Sequence, residues 1–439
     1  MAATLVVPVI INGNIEGFIA DETVAWQAGT MMSPAAALFG AGVGTLVYAL
    51  FTKFKSPVFL GSSFAFLGSM AAAFAGAASM AAGYVGLVIG AVLAGLVYVI
   101  IAIIVKFVGV NWINKLMPAV VIGPTVAIIG LSLAGNAVGD LQKGGVGTAH
   151  PLICVAVGIV TLAIVMICAT YGKKMARLIP FILGILGGYA VAAIFTVIGN
   201  AAGIDALKVI DFTKISALWA EGVNLSTFIT IPDFTFVQAF EGVKEIDGAY
   251  IATLAVAYIP VAFVVFAEHI ADHKNISSII ETDLLEDPGL SRTLLGDGVG
   301  SMAGALFGGC PNTTYGESVG CVAITGNASV YTIITAAILA MLIAFIAPFV
   351  AFVNSIPSCV MGGVCMALYG FIAVSGLKMV QKVDLNQNKN LFVVSAILIS
   401  GIGGLTLTFG KVTLTSVATA LILGILANLL LSKKKDDAE

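Results

Sequence analysis

Charge is the scarcest commodity in this sequence. Of 439 residues, 20 are Lys or Arg and 23 are Asp or Glu, together 10% of the chain, against about 25% in an ordinary soluble protein. That shortage excludes a soluble globular protein, and no polar stretch between the apolar runs is long enough to form a separate catalytic domain. The formal net charge of -3 leaves no basic field for nucleic acid. Six cysteines occur without a Cys-x-x-Cys, each in or beside an apolar run. They read as small buried hydrophobes, not a redox or metal set. No Asp-Asp-x-x-Asp, His-Glu-x-x-His or Gly-x-Ser-x-Gly lies in an apolar run, which argues against an integral-membrane enzyme.

Apolar residues fill the space that charge leaves, at 59% of the chain with a further 50 Gly. Runs long enough to cross about 30 Å of hydrocarbon occur at 35–51, 58–78, 84–105, 117–138, 152–171 and 179–199. They resume at 249–273, 293–307, 311–325, 330–353, 357–377, 391–407 and 412–431. The expected class is therefore an all-α polytopic membrane protein. Ahead of these thirteen runs, residues 2–11 are apolar but too short to span. They lack the basic leader of a signal peptide and read as the second half of a first helix whose beginning is absent, for fourteen segments.

Basic residues orient the segments, because Lys and Arg concentrate in short cytoplasmic loops. With the tail 433–439 inside, alternation places 15 of the 20 basic residues inside. Lys143, Lys208, Lys214, Lys244 and Lys411 remain outside with the long connection 200–247. That connection divides the segments into two groups of seven. An odd number per half makes the second half inverted relative to the first, as in many secondary transporters.

The third segment of each half is broken. Gly61-Ser62-Ser63-Phe64 interrupts one, and Pro311-Asn312-Thr313-Thr314-Tyr315-Gly316-Glu317 opens the other. Irregular backbone at membrane depth lines a polar cavity or is buried in protein, and paired breaks point to a substrate site. Intramembrane acids collect beside them, at Glu268, Asp272, Asp297 and Glu317. Each is costly there, an Asp by about 2.5 to 3.5 kcal/mol at a helix centre on insertion scales. Glu268 and Asp272 share one helical face, and His269 and His273 the neighbouring one. Glu268 and Glu317 are the expected substrate or proton groups. His269, Asp272 and Asp297 are candidates for proton coupling, whereas His273 beside Lys274 reads as interfacial. A His-x3-His pair without a third ligand gives no metal site, and no cofactor is expected. Paired acids, half-helix N–H groups and an aromatic such as Phe64 match a small planar heterocycle with alternating ring N–H and C=O.

Leu60-Gly61-Ser62-Ser63-Phe64-Ala65-Phe66, Ala267-Glu268-His269-Ile270, Asp283-Leu284-Leu285-Glu286-Asp287-Pro288-Gly289 and Pro311 to Glu317 closely resemble bacterial uracil permeases of the nucleobase-ascorbate transporter family. The resemblance implies proton-coupled uracil import, fourteen segments in two inverted repeats, and short strands in segments 3 and 10. It implies a core domain from 1–115 and 248–355, a gate domain from 116–247 and 356–432, and a cytoplasmic tail at 433–439. Carried over, Glu268 and Glu317 hold the ring, backbone at Phe64 and Gly316 meets its carbonyls, and Tyr315 and Tyr369 line the pocket. It also implies a plasma-membrane protein that pairs through its gate domain. Asp272, Asp297 and the Thr325-Gly326 ending lean toward xanthine carriers, while Glu317 stands where those usually have Gln and favours uracil. The remaining alternative is an anion exchanger or channel of similar fold.

Overall fold

The computed structural model describes residues 2–21, 24, 29–109, 112, 118–173, 175–220, 222–409 and 412–432. The tail at 433–439 and the orienting residues Lys115, Lys174 and Lys411 lie outside the described residues. The chain is mostly helical. In order it forms α1 (Ala2–Ala20), α2 (Pro34–Phe51), β1 (Leu60–Ser62), α3 (Leu67–Ala75), α4 (Met80–Val108), α5 (Ala119–Ser132), α6 (Ala134–Leu141), α7 (Pro151–Tyr171) and α8 (Pro180–Ala202). After the long connection come α9 (Gly248–Ile280), α10 (Leu290–Gly308), β2 (Asn312–Thr314), α11 (Gly316–Thr325), α12 (Val330–Ile343), α13 (Ala347–Ser355), α14 (Ser358–Val380) and α15 (Asn388–Ile402). A hairpin of β3 (Leu407–Phe409) and β4 (Val412–Leu414) then leads into α16 (Ser416–Ser432).

Helix starts follow local chemistry. Ser33 caps α2 ahead of Pro34, Ser79 accepts from Ala82 N–H at the head of α4, and the Asp247 carboxylate accepts from Tyr250 N–H at the head of α9. These caps satisfy first-turn donors that the helix itself leaves open.

Among the described residues, seven helices are long and apolar enough to cross a membrane, and five shorter apolar helices accompany them. The chain is thus a multi-pass membrane protein, with fewer full-length spans than the thirteen runs suggest. At 1.5 Å per residue a helix needs about 20 residues to cross. Run 58–78 is split between β1 and α3, and 330–353 between α12 and α13. Two expectations need correction. Residues 2–11 do not stop at a half-helix, since α1 continues through Asn12 and Glu16 to Ala20. Asn12 supports that extension from its side chain, donating to Met32 O at 2.9 Å and accepting from Met32 N at 2.8 Å. Run 412–431 does not begin as helix, because Val412–Leu414 pairs with Leu407–Phe409.

The helices pack in two groups. In one, α2 and α4 flank α10, with α3 and α9 against α4. In the other, α14 packs on α5, α6 and α7, while α15 packs on α5 and α16. α9 also touches α16 and β4 across the groups. The α2/α10 contact depends on glycine: a Cβ on Gly44 would meet Gly300 O at 2.8 Å, and Gly40 and Gly304 leave equally little room. Small residues let helix backbones approach where lipid offers no hydrophobic drive between helices.

Candidate functional site

The two broken segments meet. β1 and β2 form an antiparallel pair with Leu60 opposite Thr314, Gly61 opposite Thr313 and Ser62 opposite Asn312. The ribbon continues at both ends through Ser63 N to Pro311 O at 2.9 Å and Tyr315 N to Phe59 O at 3.3 Å. Three-residue strands are enough here because each satisfies the other's backbone in a place lipid cannot. Asn312 anchors the pair by donating to Gly40 O at 3.1 Å. Tyr315 lies across Gly61, where a Cβ would strike its ring; its hydroxyl donates to Ser62 O at 2.9 Å and sits 3.1 Å from Thr4 Oγ1.

Each strand leads directly into a helix start. After β1 a short 3-10 turn, Phe64–Phe66, precedes α3; after β2, α11 begins at Gly316. Two helix N-termini, with unpaired first-turn N–H groups and a positive dipole end, therefore abut one cavity of about 440 Å³. Phe64, Glu268, Tyr315, Gly316 and Glu317 all line it. Gly316 and Glu317 are exposed to this space although they lie deep in the chain's framework, and Glu268 is half-buried. The opposite wall comes from the second packing group, including Val126, Ile129 and Phe371, with Arg177 contributed by the one-turn helix Met175–Leu178.

Of the other candidate residues, those on α9 and α10 stand behind the strand pair, on the side away from the cavity. Asp272 is buried, and its Oδ2 accepts from Thr314 Oγ1 at 2.9 Å. It thereby braces the end of β2 from the rear, close to Gly316. His269 and Asp297 do not reach the cavity. They face each other between α9 and α10, Nδ1 to Oδ2 at 2.7 Å, with His269 Nε2 at 3.0 Å from Thr293 Oγ1. Thr293 donates its hydroxyl to Leu290 O, so it accepts from His269 Nε2–H. The single proton left between Nδ1 and Oδ2 makes the pair neutral as a whole, whether written as imidazolium with carboxylate or imidazole with carboxylic acid. His273 is not interfacial, as its neighbouring Lys274 suggests, but fully buried. Its Nδ1 donates to His269 O at 2.8 Å, and Tyr48 hydroxyl bridges its Nε2 at 2.6 Å and Ser56 Oγ at 2.7 Å. Tyr369 is also buried and is not among the described residues that line the cavity; its ring meets that of Phe64 edge to face at 5.9 Å.

Sequence reading missed several participants. Thr4 gives no signal beyond one hydroxyl in an apolar stretch. Arg177 looks like one more cytoplasmic loop cation, and Val126 and Ile129 are indistinguishable from lipid-facing positions until α5 is placed. Among the described residues no group of three or more His, Cys, Asp or Glu is arranged to hold a metal ion.

Comparison with known proteins bears on what such a site serves. A profile of the Permease family matches residues 1–409. A uracil permease of Bacillus caldolyticus is 39% identical over 93% of this chain and 88% of its own length, and one of Bacillus subtilis (strain 168) is 37% identical over 92% and 88%. A uracil permease of Escherichia coli (strain K12) is 33% identical over 90% and 84%. Among solved structures, the transmembrane domain of the cyanobacterial bicarbonate transporter BicA superposes with a TM-score of 0.56 at 14% identity, covering 97% of this chain and 96% of that one. The murine Solute Carrier 26 family member A9 anion transporter, in its inward-facing state, gives 0.62 at 11% identity over 98% and 67%. At such identities these structures speak to fold alone. The match across nearly the whole chain, together with the three relatives, shows that this chain belongs to the permease family that includes the bacterial uracil permeases, a family of transporters and not of enzymes.

Proposed function

We propose that this chain imports uracil together with protons across the plasma membrane by alternating access. The observation that carries the reading is the pair of carboxyl groups, Glu268 and Glu317, on one cavity with two helix starts. Carboxylates accept the ring N–H groups of uracil, backbone N–H groups at Phe64 and Gly316 donate to its carbonyls, and Phe64 supplies an aromatic face. Glu268 is the coupling acid, while Asp272 and the neutral His269–Asp297 pair position it from behind.

In this reading the first packing group is the moving core and the second the gate, within fourteen segments arranged as two inverted repeats. The tail 433–439 lies in the cytoplasm, and two copies meet through the gate domain. Relatives named as uracil permeases support the substrate. An anion substrate would want a cation or a bare helix dipole where Glu317 sits.

The test is radiolabelled uracil uptake in a permease-deficient cell, with xanthine as competitor. Uptake that a protonophore abolishes is the expected result; accumulation that survives it removes the proton from the scheme. Glu317→Gln tests the substrate. Exchanging a charged acceptor for a neutral amide is expected to weaken uracil binding by about tenfold or more and to make xanthine a better competitor. Unchanged competition would leave Glu317 without a role in selectivity.

A further inference from the structure

A second cavity, of about 180 Å³, adjoins the first at Phe64. Phe64, Ala65 and Ile129 line both. The two spaces extend in opposite directions along the helices. On α9 the first reaches Glu268 and the second Val261, seven residues earlier and about 10 Å away at 1.5 Å per residue. On α5 the second continues beyond Ile129 to Ser132, and beyond it lies the start of α16 at Thr415 and Ser416. At the opposite end the first cavity reaches Arg177. Phe64, its ring steadied edge-on by Tyr369, thus lies with Ala65 and Ile129 where the two compartments adjoin.

The small compartment has the chemistry to hold a ring. None of its described lining residues is charged, which suits a neutral solute. Its polar groups are hydroxyls. Ser69 donates its proton to Ala257 O at 2.7 Å and Ser132 to Ile129 O at 3.0 Å, so both present oxygen lone pairs as acceptors. An apolar cavity of about 150 Å³ accepts benzene, so a volume of about 180 Å³ admits one six-membered ring. We propose that this compartment is a second binding site for a neutral single-ring heterocycle on the transport path, and that the Phe64 side chain is the gate between it and the Glu268 site. This rests on the reading of the chain as a nucleobase importer.

Gly68 provides the test. It lines only the second cavity and is open to it, and a Cβ there meets nothing within 4 Å. Its Cβ position is open, so Gly68→Leu places its branched end in the compartment. The expected result is uracil influx reduced about tenfold or more and loss of the second bound uracil from the solubilised protein, while affinity at the Glu268 site stays within about twofold of wild type. Ser132→Ala removes one acceptor without adding bulk, and is expected to raise the KM for influx about threefold while affinity at the Glu268 site is unchanged; it decides the matter should Gly68→Leu lose binding through misfolding. Wild-type influx in both variants overturns the second site. Failure of the importer reading looks different: the wild-type protein itself would then move no uracil.

Discussion

Replacing Glu268 by Gln is expected to abolish uracil accumulation. The amide keeps the shape of the side chain and a carbonyl oxygen facing the cavity, so the site stays filled and folded. What disappears is the capacity to take up and release a proton where substrate is bound. One proton moving down 100 mV is worth about 2.3 kcal/mol, enough to sustain roughly 50-fold accumulation of a coupled neutral solute. Without coupling, internal uracil rises only to the external level. The decisive measurement is the ratio of internal to external label at steady state, taken alongside binding to the purified protein. A variant that still binds uracil but whose ratio falls to about one matches the assigned role; normal accumulation would falsify it. Loss of binding with loss of accumulation would instead mark Glu268 as a substrate ligand with no separable part in coupling.

Gly61→Val is expected to destroy the site from outside it. Gly61 touches no substrate in the proposed arrangement, yet it is the position on β1 over which Tyr315 lies. A Cβ there meets the Tyr315 ring and approaches Thr4 Oγ1 at 2.7 Å. Overfilling a packed interior costs about 1 to 3 kcal/mol. Here the displaced ring also carries the hydroxyl that donates to Ser62 O, so β1 and α11 lose their lock together. Uracil binding should become undetectable and the thermal midpoint of the purified protein should fall by several degrees. Gly135→Ala, where a Cβ meets nothing within 4 Å, is the matched control and should behave as wild type. Coupling between the sites can be read directly: if the clash is the cause, Gly61→Val costs much less in a Tyr315→Leu background. Equal costs in the two backgrounds would place the damage elsewhere.

Much of this was legible from residue types alone. The scarcity of charge decides the membrane class, and the Gly-Ser-Ser and Pro-Asn-Thr-Thr interruptions mark where helix must fail, because β-branched and turn-forming residues at that depth have few other uses. Glu268 and Glu317 stand out because burying them is costly. The partners across the cavity were not legible: Val126, Ile129 and Phe371 are apolar residues among hundreds, and only the docking of α5 and α14 selects them. Neither does spacing along α9 separate Glu268 from His269. Adjacent residues point about 100° apart, and which direction meets a cavity and which meets α10 is settled by packing. His273 shows the same limit, since a neighbouring lysine suggests water while Tyr48 and Ser56 enclose it.

The strand pair also has a consequence for biogenesis. Tyr315 and the Ser62 carbonyl it locks are 253 residues apart in the chain. At roughly 5 to 20 residues per second, the ribosome takes on the order of ten to fifty seconds to deliver the second strand after the first has emerged. Throughout that interval the backbone of Leu60 to Ser62 has no strand to pair with, and hydrocarbon offers it nothing. Pairing of the two strands, and with it closure of the site, is therefore a late step that occurs while the last 125 residues are still to be made.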